Sequence, residues 1–329
     1  MLRKQFATSL SRLPDRRGCA RLRCRPVANA SSLEAPERTR TSFHHGITYT
    51  SYEVNTAGVK FNTSGVRVLI DPWFVGELSF GGADWLYAGR KRVIGRDTRV
   101  DLAAVLAETD VLMVTQGLDD HCHVPTLEAV PNKAIPVVTN SAAAERMRPL
   151  GFSNITVLAP GQSTTVTGKA GGKLRITATA GALVGPPWTP RQLGLLMREE
   201  VPQGERPASL YFESHCDFDA SSVSAAMRQQ QLGAVDVVVS PVVTTLLGVG
   251  PASYELVQGD RNLVQLCRQL RPKVLLPLMN HEMEASGPLT SVVWQRGDPA
   301  VVSELLRREG LDTRVEFPAP PGEALALAL

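Results

Sequence analysis

A repeated rhythm constrains this chain more than any other feature. A short, β-branched apolar run is followed by a polar cluster and then by a segment with helical spacing. The runs VRVLID, VLMVT, AVDVVVSP and KVLLPLMN are too short for buried helices and apolar almost throughout, as strands covered on both faces must be. Between them, VDLAAVLAETD, SAAAERMRPL, SSVSAAMRQQQL, DRNLVQLCRQLRP and DPAVVSELLRREGL carry helical spacing. In the first of these, Leu102, Val105 and Leu106 share one face. HVPTLEAV reads as a helix start with Pro125 in its first turn. Upstream, GITYTSYEVNTAGVKFNTSGVRVLIDPWF reads as strands split by Gly/Asn/Thr turns. STTVTGKAGGKLRITATA and GLLMREE…ASLYFES read as hairpins, and RVEFPAPPGEAL as a closing edge. The expectation is an α/β layered domain whose sheets are antiparallel at their edges. In such folds the loops after strand C-termini carry chemistry. Five polar clusters fall there: IDP, TQGLDDHCH, TATAGALVGPPW, YFESHCDFD and PLMNHE.

The 329 residues, 43% hydrophobic and 20% charged, hold enough apolar material for a sizeable core. The longest apolar stretch, VDVVVSPVVTTLLGVG, is too short and too interrupted to span a bilayer, so no membrane association is expected. Residues 1–30 hold eight Lys/Arg against one acid, Asp15, although the whole chain carries only +3. The basic character therefore belongs to the N-terminus, and the rest of the chain is net acidic. Without a basic stripe interleaved with aromatics, no nucleic-acid binding is expected. The N-terminus is Arg-rich and acid-poor, has hydroxyl residues, and ends in the small-residue VANA. That is the composition of an organellar transit peptide, read over residues 1–40, with the chloroplast as destination and the mitochondrion as the alternative. Residues 41–329 are then a single domain. Of the five cysteines, Cys19 and Cys24 lie in the leader. Cys122, Cys216 and Cys267 have no framework spacing and read as unpaired thiols.

Asp120 and His121 follow a buried strand at a strand-to-helix turn. His215 and His281 each lie just past another expected strand, so all four can converge on one rim. A carboxylate with imidazoles on rigid loops suits a divalent transition metal such as zinc, with manganese or iron as alternatives. Glu213 and Asp217 flank His215, and Glu282 flanks His281. His123 suits either the pocket or the start of the following helix. In GALVGPPW, Gly185 allows close backbone approach and Trp188 follows two rigid prolines, forming either a pocket wall or a packed loop. Trp73, Phe74 and Trp85 are candidates for an opposite wall. His44 and His45 read as surface residues.

The order LIDP, VLMVTQGLDDH, a glycine-containing loop, an acidic strand end and a final His after VLLPL resembles the metallo-beta-lactamase fold. Within it the chain is most similar to the branch of L-ascorbate-6-phosphate lactonase and its plant and cyanobacterial relatives, over roughly residues 43–320. The resemblance implies a four-layer αβ/βα sandwich, two mixed β-sheets flanked by helices. The family signature is T-H-x-H-x-D-H, and this chain reads Thr115, Gln116, Gly117, Leu118, Asp119, Asp120, His121. The family's first metal is held by the two histidines of H-x-H and a mid-chain His. Here Gln116 and Leu118 stand in the first two places, and TATAGALVGPPW contains no His. The second metal, held by the D-H pair and a final His, would retain Asp120, His121 and His281. Glu213, or Asp217, is the nearest counterpart of the bridging acid, and His215 is extra to the pattern. Asp71 would orient a ligand histidine.

These residues imply one divalent ion on Asp120, His121 and His281 that activates water for hydrolysis of an ester, lactone, amide or phosphoester. Asp120, Glu213 and His215 would do the chemistry, with the last two moving protons. Gln116, His123, Gly185 and Trp188 would line the pocket of a small-molecule substrate. One alternative is a non-catalytic relative that uses the cleft to bind a metabolite or a protein. Another is a redox-active iron site, since two histidines and a carboxylate also suit non-haem iron.

Overall fold

The β-rich runs form strands with strict face alternation. Val68 and Ile70 point to one side of their strand, Leu69 to the other, and the pattern recurs at Val111 and Met113 against Leu112 and Val114. Leu210 and Phe212 oppose Tyr211, and Val237 and Val239 oppose Val238, in the same way. The computed structural model describes residues 45–96, 100–250 and 253–329. The expected transit peptide lies outside them.

Two seven-stranded mixed sheets result. In spatial order the first runs Ala324–Ala328, Gly46–Ser51, Ala57–Phe61, Arg67–Ile70, Val111–Val114, Val137–Thr139, Ile155–Val157. Its first four strands pair antiparallel and the rest parallel. The second runs Arg314–Val315, Val274–Pro277, Val237–Ser240, Ser209–Phe212, Leu193–Glu200, Lys173–Ala180, Ser163–Thr167. Its first four strands pair parallel and the hairpins antiparallel. The inner faces share one core containing Phe61, Ile70, Met113, Ile176, Met197, Phe212 and Leu276. The outer face of the first sheet packs Leu69, Leu112 and Val137 against Leu106, Leu127 and Met147 of its helices. The outer face of the second packs Tyr211, Val238 and Leu275 against Val223, Leu263, Leu266 and Leu306. This is the expected four-layer αβ/βα sandwich.

Capping residues start several of the helices. Asp101 begins Leu102–Glu108, Asn140 begins Ser141–Met147 and Asp219 begins Ala220–Gln229. One piece was not expected: Thr244–Leu247, Tyr254–Gln258 and Val293–Arg296 form a separate three-stranded sheet, and Glu284–Ser286 pairs with Ala88–Arg90. These strands are short, the hairpin of Thr244–Leu247 and Tyr254–Gln258 is bulged, and the other two pairings are remote in sequence, so no local period announces them.

Candidate metal centre

The parallel strands deliver their polar clusters to one place. Strand Arg67–Ile70 ends at Asp71, whose backbone is left-handed (φ 45°), a conformation aspartate tolerates better than most residues. Its Oδ1 accepts the Thr115 N–H at 2.7 Å. Its Oδ2 accepts the Thr115 hydroxyl at 2.7 Å and lies 2.7 Å from His121 Nδ1. Next along the chain, Gly117 is pressed onto helix Ser141–Met147, where an added Cβ would meet the Ala142 Cβ at 2.8 Å. The N–H groups of His121 and Cys122 then both turn back to the Leu118 carbonyl. That turn buries the His121 ring completely.

From the second sheet, strand Ser209–Phe212 runs into Glu213. Glu213 Oε2 accepts the N–H groups of His215 and Asp217, each at 3.0 Å, around a left-handed Cys216 (φ 54°). This tight turn sets the His215 ring edge-on to His121, with centroids 5.4 Å apart. Gln116 joins the sheets by donating to Ser214 Oγ at 3.0 Å and His215 Nδ1 at 3.3 Å. Asp120 completes the group, its Oδ2 3.2 Å from His121 Nε2 and its side chain 20% exposed.

One ligand atom from each of Asp120, His121 and His215 lies within 4.8 Å of the others, the only such group of histidine, cysteine and acid side chains among the described residues. Buried acceptors without partners surround it: Asp120 Oδ1, Glu213 Oε1, Gln116 Oε1 and Asn55 Oδ1. Buried polar atoms are normally satisfied, and leaving one bare is costly. One carboxylate and two imidazoles, one of them oriented by a second carboxylate, are a donor set that fits a divalent transition ion.

The electrostatics express the same crowding. Burial alone would lower the His121 imidazole, but the Asp120 and Asp71 carboxylates override it and push it up to about 10. Burial alone would raise Asp120, but the His121 charge and hydrogen bond hold it at about 2. His215 is driven down to about 3, by burial first and by the His121 charge second. Burial, together with the Asp217 charge, lifts Glu213 to about 8.

Several expected residues lie elsewhere. His281 is not a member of the group, although its Nδ1 is buried and unpartnered. The chain leaving strand Val274–Pro277 sends Asn280 inward, its amide 2.9 Å from the Ser214 carbonyl, while the charges around His281 are Glu282 and Arg92. His215, expected to move protons, is the residue that stands with Asp120 and His121. His123 fills the helix-start role: it caps helix Val124–Ala129, Nδ1 facing the Thr126 hydroxyl at 3.0 Å and Nε2 facing the Glu77 carbonyl at 3.2 Å. Trp73 and Phe74 are buried in the core and form no wall, whereas Trp85 and Trp188 stand out in solvent. Gly185, beside Trp188, donates to the Tyr254 hydroxyl. Leu118 is half-buried and offers only its carbonyl. One residue was missed. Asn55 Nδ2 lies 3.2 Å from His121 Nε2 and 3.3 Å from Asp120 Oδ2. Its only signal was its place in the turn Val54-Asn55-Thr56, where asparagine is read as a turn former. The left-handed backbone of Glu53 and Val54 was invisible there.

Residues 50–279 match the beta-lactamase superfamily domain, and the chain belongs to that superfamily. Among solved structures it is similar to an isothiocyanate hydrolase from Delia radicum gut bacteria. That match has 18% identity and a TM-score of 0.56, and covers 85% of this chain and 98% of the other. It is also similar to a possible metal-dependent hydrolase from Veillonella parvula DSM 2008, at 15% identity and a TM-score of 0.57 over 86% and 100%. At these identities the likeness is one of fold. No protein of curated function matches the sequence.

Proposed function

We propose that the protein is a metal-dependent hydrolase with a single divalent ion, zinc by preference, held by Asp120, His121 and His215. The observation that carries this reading is the clustering of those three ligand atoms beside the unpartnered Asp120 Oδ1. The hydrolase neighbours support it. When bound, such an ion lowers the pKa of a water toward ~7 and polarises a carbonyl or phosphoryl oxygen. The chain supplies the rest. Asp71 fixes the His121 ring with Nδ1 engaged and Nε2 facing the cluster. Glu213, whose Oε1 is buried without a partner beside the cluster, is the group that would move a proton to a leaving oxygen. Asp120, the one partly exposed member, marks the side from which substrate approaches. The substrate class is an ester, lactone or phosphoester.

A second reading rests on one feature. With Asp71 on one ring nitrogen and Asp120 on the other, a protonated His121 satisfies the pair of carboxylates without an ion. The cleft would then serve binding alone, as in a non-catalytic relative. Elemental analysis of purified full-length protein separates the two. The hydrolase reading expects about one zinc, manganese or iron per chain, lost in Asp120→Asn and in His215→Ala but kept in His281→Ala. Equal metal in wild type and His215→Ala would end it.

A further inference from the structure

The exposed tryptophans are unevenly placed. Of four in the chain, Trp73 is core, and the other three all stand on segments anchored to the candidate metal centre. Trp85 (73% exposed) and Phe80 lie on the loop that Gly81 ties to Asp119 at 3.0 Å, the residue before Asp120. Trp188 (82% exposed) lies on the loop that Leu183 ties to Asp217 at 2.8 Å, two residues after His215. The hairpin of Thr244–Leu247 and Tyr254–Gln258, with Val249 79% exposed near its tip, is tied to the His215 carbonyl by the Gln258 N–H at 2.8 Å. Strand Val293–Arg296, with Trp294, pairs with that hairpin, and the Trp294 indole N–H donates to the Gly248 carbonyl. The Tyr254 hydroxyl, which donates to the Leu183 carbonyl, stitches the hairpin to the Trp188 loop.

The same segments are nearly free of charge. Residues 181–190, 244–254 and 285–295 contain no Asp, Glu, Lys or Arg, and residues 78–89 contain only Asp84. Behind the tips, the cations are paired: Arg90 with Glu77, Arg96 with Glu284, Arg191 with Asp217, and Arg261 and Arg296 with Glu255. Exposed apolar side chains on uncharged segments, flanked by paired cations, fit a partner that is apolar within and carries no net charge. Aromatic side chains favour the boundary between hydrocarbon and water, where charged ones are costly to bury. A protein partner would be expected to meet a patch closed by a polar rim.

We infer that these tips dock the molecule on a zwitterionic lipid surface, with the metal centre facing the interface. This reverses the sequence expectation of no membrane association, which weighed only spanning segments. The docking does not depend on the hydrolase reading, and the test keeps them apart. Full-length protein is mixed with phosphatidylcholine vesicles, with and without chelator, and followed by tryptophan emission and co-sedimentation. These vesicles carry no net charge, so the basic N-terminal residues cannot bind them by charge. The expected result is a blue shift and co-sedimentation that persist in high salt and in chelator. Trp85→Ser and Trp188→Ser should each weaken partitioning roughly tenfold, the loss for one buried apolar side chain, with circular dichroism and metal content unchanged. Absence of binding would overturn the inference. So would binding that the Trp85→Ser/Trp188→Ser double variant retains, or binding that appears only with anionic lipid and vanishes in salt. A concentration-dependent dimer that the double variant makes monomeric, without vesicle binding, would assign the tips to a second copy instead.

Discussion

Asp71 and Asn55 show how much of the site rests on residues that ligate nothing. Asp71 is fully buried, and its two oxygens serve Thr115 and His121 only. Asp71→Asn keeps the shape and tolerates the left-handed backbone, but it removes the charge that orients the imidazole and raises its basicity. Metal affinity, measured by competition with a chromophoric chelator, should fall about 10–100-fold. An unchanged affinity would show that Asp71 acts only on the turn. The Asp120–His121 pair and His215 were legible as candidates because carboxylates and imidazoles directly after apolar runs are conspicuous. Asn55 was not, because asparagine in a turn has an ordinary explanation. His281 had the right residue type and a matching place in the order of motifs, yet it stands outside the group of three although its Nδ1 is buried. The distances between strand ends are set by packing against the opposite sheet, to which local sequence is blind.

Among elements, helix Ala220–Gln229 illustrates what local chemistry does by itself. Asp219 accepts the Ser222 N–H at 2.6 Å and the Ser221 hydroxyl at 2.5 Å, closing the first turn. Asp219→Ala should destabilise the fold by about 1 kcal/mol in chemical denaturation. The hydrogen bonds from Ser221 and the Ser222 N–H also hold the Asp219 carboxyl below its ordinary 3.8. The unfolded chain therefore binds this proton first as pH falls. The cap's contribution is full above pH 3.8 and is lost as pH drops below that value through the folded-state pKa. Wild type and Asp219→Ala should thus converge in stability toward low pH, and a constant gap down to pH 2 would contradict the assignment. Caps of this kind, the apolar runs and the hairpin turns made most helices and strands readable. The three-stranded sheet of Thr244–Leu247, Tyr254–Gln258 and Val293–Arg296 escaped, because its hairpin is short and bulged and its third strand pairs from tens of residues away.

Across the whole molecule, the two sheets share one inner core, and each also packs an outer core against its own helices. Three buried thiols report on this. Cys122 lies in the outer core of the first sheet, and Cys216 and Cys267 lie in that of the second. Burial pushes the thiols of Cys122 and Cys267 up to about 12 and raises Cys216 as well, so none reacts in the folded state. If the sandwich opens as one cooperative unit, iodoacetamide labelling followed by mass spectrometry should modify all three at a common rate that rises together with denaturant. Cys122 labelling far ahead of Cys267 would mean that the halves unfold separately.

Sequence alone determined the strand and helix runs, the layered α/β class, and the placement of acids and histidines at strand ends. All of these follow from periodicity and residue chemistry over a few neighbouring positions. Which of those side chains share a space was decided by the tertiary structure. Asp71, Asp120, His121 and His215 meet, and His281 does not, because facing sheets set the distances between strand ends through a shared core that no local stretch of chain encodes.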